Sequence, residues 1–147
     1  MSAEAILDAV AVKAATVTGI RKAYGSGAGS SAVATLPSDV ADGPVALVLY
    51  DGSEMEIPGG YERIAHRFVV RVYVNGADTG YAYKTLLPFV SRFVAAWRTD
   101  SDLGATCQFS QLMGADQLDA EEVNGKPYLV LPVRVTAWEV TAATYTV

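Results

Sequence analysis

Two side chains in this sequence are natural candidates for acid–base or nucleophilic chemistry, because the chain contains one histidine, His66, and one cysteine, Cys107. Any Ser-His-Asp or Cys-His arrangement must therefore use His66. Position 66 falls on the apolar face of a predicted strand, which is typical of a histidine at the edge of a core. Cys107 belongs to no local motif, which favours a small buried hydrophobe. The search for catalytic residues is therefore mostly negative, and a small-molecule-binding or enzymatic α+β domain centred on His66 stays an alternative.

Motifs for phosphate and metal binding are incomplete in this chain. The glycine-rich segment 25–31 lacks the lysine with which a P-loop reaches phosphates, and its glycine spacing does not fit the dinucleotide fingerprint. Carboxylates cluster around two predicted turns, at 51–56 and at 100–102, without the spacing of a calcium loop. The sequence therefore predicts no cofactor and no metal ion.

The charged residues are unevenly distributed along the chain. Six of the eleven basic residues lie between positions 60 and 98, whereas the stretch 99–125 has six acidic residues and no basic one. Opposed patches on one chain can pair head to tail with further copies, and such contacts close into rings. Ordinary solvated faces are the alternative. The predicted interface residues are Arg63, Arg67 and Arg71 on the basic side and Asp116, Asp119, Glu121 and Glu122 on the acidic side.

The composition is that of a single folded domain spanning residues 1–147. Apolar residues make up 51% and charged residues 18%, which argues against a disordered chain. The formal net charge of -5 argues against a dedicated nucleic-acid binder, whose affinity needs a basic footprint. No apolar run approaches the ~20 residues of a membrane span, and the first residues lack the basic start of a signal peptide. A single cysteine excludes an internal disulfide and indicates a reducing cytoplasm.

The elements that must position these side chains begin with a helix over 3–15, for which Ser2 is the predicted N-cap. Residues 17–24 either end this helix or form a strand that Gly19 interrupts, and we favour the strand. The next segment, 25–44, begins rich in glycine and serine, and connections of this length are often functional. We predict a flexible arm there that orders against a partner.

Strands dominate the middle of the chain. An apolar strand over 45–50 leads to Asp51-Gly52, a dipeptide typical of hairpin turns, and a return strand covers 53–57. The stretch 61–74 gives the clearest strand pattern, because apolar residues alternate there with three arginines.

One further helix is predicted over 79–98. Pro88 either kinks this helix or marks its true start, because proline cannot continue the hydrogen-bond pattern. Helical spacing predicts a buried stripe that consists of Leu86, Val90, Phe93, Val94 and Trp97.

The last part of the chain again favours strands. A strand over 105–113 precedes an acidic loop at 114–123, and Asn124-Gly125 is a hairpin signal. The closing strand covers 128–140, and Pro132 indicates that it lies at an edge or contains a bulge. Hairpin connections imply an antiparallel sheet. The predicted fold class is therefore α+β, a two-layer domain whose mainly antiparallel sheet has two helices packed on one face.

The order of these features resembles the tail terminator, or tail completion, proteins of long-tailed bacteriophages. The resemblance covers most of the chain and lies in a pattern of elements. It begins with Thr18-Gly19-Ile20 after the first helix and Leu36-Pro37 in the loop. It continues with the long strand Arg63–Tyr73, the helix ending Phe93–Trp97 and the closing strand Gly125–Val135.

The resemblance implies a structural role in the virion, with no catalytic residues, so the chain is not expected to be an enzyme. Proteins of this family form a six-membered ring at the head-proximal end of the tail tube, stop tube growth and offer a surface to the head connector. The implied partners are further copies of the chain, the tail tube protein and the head–tail connector protein. DNA only passes through the lumen, and no membrane is involved. Another head–tail connector or neck protein is the alternative within the same class, and assembly in the host cytoplasm is expected.

Overall fold

The computed structural model describes residues 2–25, 36 and 43–142, which form three helices and one six-stranded sheet. In chain order the elements are α1 (Ala3–Ala15), β1 (Lys22–Tyr24), β2 (Val45–Glu56), β3 (Glu62–Asn75), α2 (Thr79–Leu86), α3 (Phe89–Ala96), β4 (Phe109–Ala115), β5 (Asp119–Val123) and β6 (Lys126–Ala142). The predicted α+β class with a mainly antiparallel sheet is confirmed. Most of the predicted arm at 25–44 lies outside the described residues.

The sheet is built around two long antiparallel strands, β3 and β6. They pair from Glu62 opposite Ala142 to Asn75 opposite Tyr128. β2 lies on the other side of β3, and β1 extends the sheet beyond β2 as a parallel neighbour. β4 and β5 follow one another along the far side of β6. The strand order is β1-β2-β3-β6-β4, and neighbouring strands from β2 to β4 run in opposite directions.

The N-terminal helix forms where the sequence predicts it. The Ser2 hydroxyl oxygen accepts a hydrogen bond from the Ala5 N–H at 3.1 Å, which satisfies one of the free donors of the first turn. Ile6, Val10 and Ala14 are fully buried at helical spacing and pack into the main core. The amphipathic pattern therefore positions this helix against the sheet.

The predicted strand over 17–24 was wrong except at its end. The Val17 N–H donates to the Ala14 carbonyl at 3.1 Å and so continues the last turn of α1. Gly19 then turns the chain with a φ of +97°, a conformation that favours glycine. Only Lys22–Tyr24 remains to pair with β2.

The second predicted helix is broken into two short helices at Leu87 and Pro88. Asp78 starts α2 by accepting a hydrogen bond from the Tyr81 N–H at 3.1 Å. Pro88 is the N-terminal flanking residue of α3, where its missing N–H costs nothing. The proline signal in the sequence was therefore correct, and the continuous helix over 79–98 was not.

The break also changes which side chains face the core. Leu86, Phe93 and Trp97 are buried as predicted, together with Phe89, which the predicted stripe omits. Val90 and Val94 are exposed instead, because the restarted helix directs Phe89 rather than Val90 towards the sheet.

The predicted hairpin at Asp51-Gly52 is absent, because β2 continues through this dipeptide. The pairing of β2 with β3 shifts between Tyr50 and Ser53, so that two residues of β2 lie opposite Arg67. Gly52 adopts a φ of +98°, which fits a β-bulge as well as a turn. β3 is long enough to pair with both halves of β2, and this long-range pairing decides between the two structures.

The strand predicted over 105–113 begins later, at Phe109, and continues to Ala115. Turns occupy the preceding residues, where Asp100, Leu103 and Ala105 have positive φ. The acidic segment 114–123, predicted as a loop, contains β5. The hairpin at Asn124-Gly125 is confirmed: Val123 pairs with Lys126, and both turn residues have positive φ, as type I′ turns require.

Pro132 lies neither at an edge strand nor at a bulge, because β6 has neighbours on both sides. Its carbonyl accepts a hydrogen bond from Asp116 at 2.9 Å, so the backbone of Pro132 faces the side of β4 and β5. On this side the neighbour of β6 changes from β5 to β4. The missing N–H therefore falls at a junction where no ladder bond is lost.

The main core lies between the three helices and one face of the sheet. Its largest fully buried side chains include Ile6, Phe68, Leu86, Phe89 and Phe93. A second, smaller cluster joins Leu36, a residue of the predicted arm, to Tyr73, Tyr128 and Val130. Leu36 therefore packs onto the sheet of its own chain.

Candidate functional site

The predicted basic residues lie on the sheet face turned away from the helices, which we call the open face. Alternation along β3 puts Phe68, Val70 and Val72 into the main core, so Arg67 and Arg71 point to the other side. None of the three described helices covers this side. The open face includes Leu47, Leu49, Glu54 and Glu56 of β2, Arg63, Arg67, Val69, Arg71 and Tyr73 of β3, Phe109 of β4, Asp119 and Glu121 of β5, and Arg134, Thr136 and Trp138 of β6.

Arg71 lies at the centre of a group of polar side chains on the open face. Its Nη2 atom is 2.5 Å from Glu121 Oε2, and Asp119 Oδ2 is 3.9 Å away. Its Nε–H donates to the Tyr73 hydroxyl at 3.1 Å, and that hydroxyl donates to Glu121 at 3.3 Å. The strand pairing explains the contact, since β3 and β5 flank β6 on opposite sides.

The electrostatics of this group keep both of its donors protonated. Burial alone would lower the pKa of the Arg71 guanidinium, but Tyr73 and Glu121 together raise it above its ordinary value. Burial raises the pKa of the Tyr73 phenol, and the charge of Glu121 adds to this effect while Arg71 opposes it. Arg71 therefore keeps its positive charge, and Tyr73 its proton, at neutral pH.

A second group surrounds Trp138 at the other end of the open face. Glu56 accepts hydrogen bonds from Arg63 at 2.9 Å and from the Trp138 indole N–H at 3.0 Å. The Arg63 guanidinium lies 5.2 Å from the centre of the Trp138 ring. On the other side of the indole, Phe109 stacks with ring centroids 5.2 Å apart. Arg63 is thus held by neighbours in its own sheet.

The other charges of the open face form looser pairs. Arg67 lies 3.9 Å from Glu54, and Arg134 lies 3.1 Å from Asp116. Exposed pairs of this kind contribute only about 0–1 kcal/mol to stability. Glu122, the last of the predicted acidic residues, is exposed on β5. These side chains remain accessible to solvent and to partners.

Six of the seven predicted interface residues therefore make ion pairs within the chain. The structure brings Arg71 together with two predicted acidic residues, Asp119 and Glu121, and separates the others. The partners that the sequence analysis missed are Glu54, Glu56 and Arg134. Their positions on neighbouring strands could have suggested these pairs only once the register was known. An interface role for the seven residues stays a prediction.

The ion pairs of the open face are nearly balanced in charge. They join four arginines to five carboxylates, which leaves an excess of one negative charge. The arginine row predicted from β3 is therefore not a basic patch in the folded chain. A phosphate approaching this face meets each guanidinium beside a carboxylate.

His66 lies on the opposite, core-facing side of β3 and is 4% exposed. Its Nδ1 atom is 2.7 Å from the Tyr50 hydroxyl, and its Nε2 atom is 3.0 Å from Glu139 Oε1. The tautomer that satisfies both partners accepts from Tyr50 and donates to Glu139. This order resembles a Ser-His-Asp arrangement with a phenol in place of the serine. The prediction of a histidine at the edge of the core is confirmed, and the two partners were not foreseen.

Two of the grooves on the described surface lie away from His66. One of about 440 Å³ runs between α2 and the β5–β6 hairpin, lined by Tyr83 and Glu122 among others. Another of about 480 Å³ lies between α1 and the turn at 99–106, lined by Val12 and Lys13 among others. Neither groove is lined by His66. The Tyr50–His66–Glu139 group therefore has no contact with either groove.

Cys107 is buried in the main core, as predicted. Burial raises the pKa of its thiol to about 11, and the nearby Asp102 adds to the effect. A thiol with this pKa is protonated at neutral pH and is a poor nucleophile. The side chain thus acts as a packing residue.

Within the described ranges, no group of three or more His, Cys, Asp or Glu side chains is placed to hold a metal ion. No described helix is long and apolar enough to cross a membrane. Comparison with known proteins finds neither a matching family model nor a significantly similar curated protein. The resemblance to tail terminator proteins therefore depends on the order of elements and on the segments quoted for it.

Proposed function

We propose that this chain is a structural virion protein that forms a ring of six subunits at the head-proximal end of a phage tail tube. The ring stops polymerisation of the tube and joins the tail to the head connector. The observation that carries the proposal is the open face, which lacks helices among the described residues and has nearly balanced charge.

A channel for DNA favours a wall of this kind. If the sheets of a ring line its lumen, the helices must lie outside and the open face meets the DNA. A strongly basic wall would hold the phosphates by releasing their counterions. On the open face each arginine is accompanied by a carboxylate, so DNA can pass without being bound.

Three of the segments that carry the resemblance belong to described elements of the domain, which supports the same proposal. Arg63–Tyr73 is most of β3, Phe93–Trp97 covers the end of α3, and Gly125–Val135 begins β6. Leu36 packs on the open face beside Tyr73. The pattern of segments is thus a pattern of packed elements.

The proposed partners are further copies of the chain, the tail tube protein and the head–tail connector protein, and the proposed location is the virion tail after assembly in the host cytoplasm. DNA is a passing occupant of the lumen. A neck protein that joins head and tail without ending the tube is the second candidate, since its size and α+β pattern are the same.

A nonsense mutation in the gene, tested in the phage that encodes it, separates the two candidates. Loss of a terminator should give tails of abnormal length that do not join heads. Loss of a neck protein should give tails of normal length beside unjoined heads. Normal, infectious virions would contradict both. Re-expression of the intact chain from a plasmid is the control, and tail lengths are measured by negative-stain electron microscopy.

A further inference from the structure

Two edges of the sheet are open among the described residues. β1 pairs with β2 only from Val45 to Leu47, so β2 has no described neighbour on that side from Val48 to Glu56. At the other side of the sheet, β4 pairs with β6 alone. Ser101 covers the start of this second edge by accepting from the Ser110 N–H at 2.6 Å. Unpaired edges present N–H and C=O groups that can form hydrogen bonds with a strand of another chain.

Exposed apolar side chains are found at the same two edges. On β2, Leu49 and Met55 are exposed, the latter at 56%. On β4, Phe109 and Met113 are exposed, the latter at 47%. Val94 of α3 lines a groove together with Phe109. Apolar side chains along open strand edges are typical of surfaces that become buried on assembly.

The strand directions allow these two edges to meet. Neighbouring strands alternate in direction from β2 through β3 and β6 to β4, so β4 runs antiparallel to β2. A second copy turned about an axis along the strands keeps these directions. Its β2 then approaches the β4 of the first copy in antiparallel orientation, and the alternation continues across the contact.

We infer that β2 of one copy pairs edge to edge with β4 of the next, and that this contact, repeated head to tail, closes the ring. The two edges differ, so the contact is heterologous and forms a closed ring when the rotation matches. That the assembly is a ring rests on the proposed function. The pairing of the two edges rests on the strands themselves.

Charge and curvature favour the same partner. Asp51 is exposed along the β2 edge, whereas Arg98 is exposed in the groove beside β4. Opposite charges on the two edges favour the approach of β2 to β4, in addition to backbone pairing. Both strands also change register, β2 near Gly52 and β4 near Met113. Such bulges bend a sheet in the way that closure requires.

Three substitutions test this inference on the full chain. Met55→Glu places a charge on the β2 edge, Met113→Glu places one on the β4 edge, and Val12→Glu is the control on the exposed side of α1. Sedimentation velocity over a concentration series should show self-association of the unaltered chain. Each edge variant should associate at least tenfold more weakly, while the control matches the unaltered chain. Urea denaturation midpoints within experimental error verify that all three variants fold.

Mixing the two edge variants gives the decisive result. Met55→Glu retains an intact β4, and Met113→Glu retains an intact β2, so the mixture should form a complex of one copy of each and nothing larger. Self-association of either variant as strong as that of the unaltered chain would overturn the inference, as would an unaltered chain that stays monomeric at its solubility limit. Rings that persist in both variants would overturn edge pairing and leave the proposed ring. If the mixture forms dimers but loss of the gene leaves the virions normal, edge pairing stands and the proposed function is wrong.

Discussion

Replacing Arg71 by Met and Glu121 by Gln, singly and together, tests whether this ion pair belongs to one chain or joins two. The side chains of the pair are 24% and 35% exposed, and the Tyr73 hydroxyl bonds to both of them. If the pair lies within one chain, the free energy of unfolding at low protein concentration must depend on it. If the pair joins two chains, the mass of the assembly in solution must depend on it instead.

The expected magnitude follows from the burial of the pair. Hydrogen bonds to charged groups contribute ~1.5–3 kcal/mol when enclosed, and exposed ion pairs contribute ~0.2–1 kcal/mol. Arg71 and Glu121 lie between these limits, so we expect a coupling energy of about 1–2 kcal/mol. Each single substitution should cost about 1.5–2.5 kcal/mol, because it leaves a half-buried charge without its partner. The double substitution should cost less than the sum of the two.

The assay is a double-mutant cycle from urea denaturation, run at a concentration where the unaltered chain is monomeric. Arg67→Met with Glu54→Gln provides the matched control, since that pair spans 3.9 Å at side-chain exposures of 50% and 71%. Its coupling should be below about 0.3 kcal/mol. A coupling near zero for Arg71 and Glu121, accompanied by weaker self-association, would refute the intrachain pair and support the interface predicted from the sequence.

Three further predictions concern stability. The pKa of the Cys107 thiol is raised from 9.0 to about 11 in the fold, which favours the protonated thiol. Its contribution to the free energy of unfolding should therefore be nearly constant below pH 9 and fall by roughly 2–3 kcal/mol as pH rises to 11. In urea denaturation the unaltered chain should lose this much more stability over that range than Cys107→Ala does. In urea denaturation, His66→Leu should lower the free energy of unfolding by about 2–4 kcal/mol and Glu139→Gln by less than about 1 kcal/mol. Only the first substitution removes both hydrogen bonds of the imidazole. Equal losses would count against the Tyr50–His66–Glu139 group. Gly52→Val should lower the stability of the fold by about 1–2 kcal/mol, because the φ of Gly52 is +98°. Gly80→Ala, where φ is not positive, should be neutral or stabilising. A lower melting temperature for Gly80→Ala than for Gly52→Val would contradict the bulge geometry.

Local signals in the sequence were sufficient for elements whose partners lie nearby. Ser2 caps α1 through a bond to a residue three positions away, and Asn124-Gly125 joins two strands that pair with each other. The alternation in β3 also predicted its two faces, because a period of two is visible in any strand that is buried on one side. These features need no knowledge of the rest of the chain.

Long-range pairing decided the features that the sequence left open. Asp51-Gly52 has the composition of a hairpin turn, but β3 pairs on both sides of it and converts it into a bulge. Pro132 suggested an edge, but β6 has neighbours on both sides and places the proline where one neighbour gives way to the next. In both cases the local rule was sound, and the register of a distant strand determined how it applied.

The charges of the open face show why the sequence alone does not identify a subunit interface. Opposite charges in one sequence predict attraction but do not say whether it acts within a chain or between chains. Glu121 is 50 residues from Arg71, and only the position of β5 beside β6 brings them together. A charge already paired and half-buried adds little to the attraction between subunits, since its field is largely cancelled at a distance. If the chain forms rings, their register must then come chiefly from backbone pairing and apolar contacts at the strand edges. The open face, balanced within each subunit, is left free to face the channel.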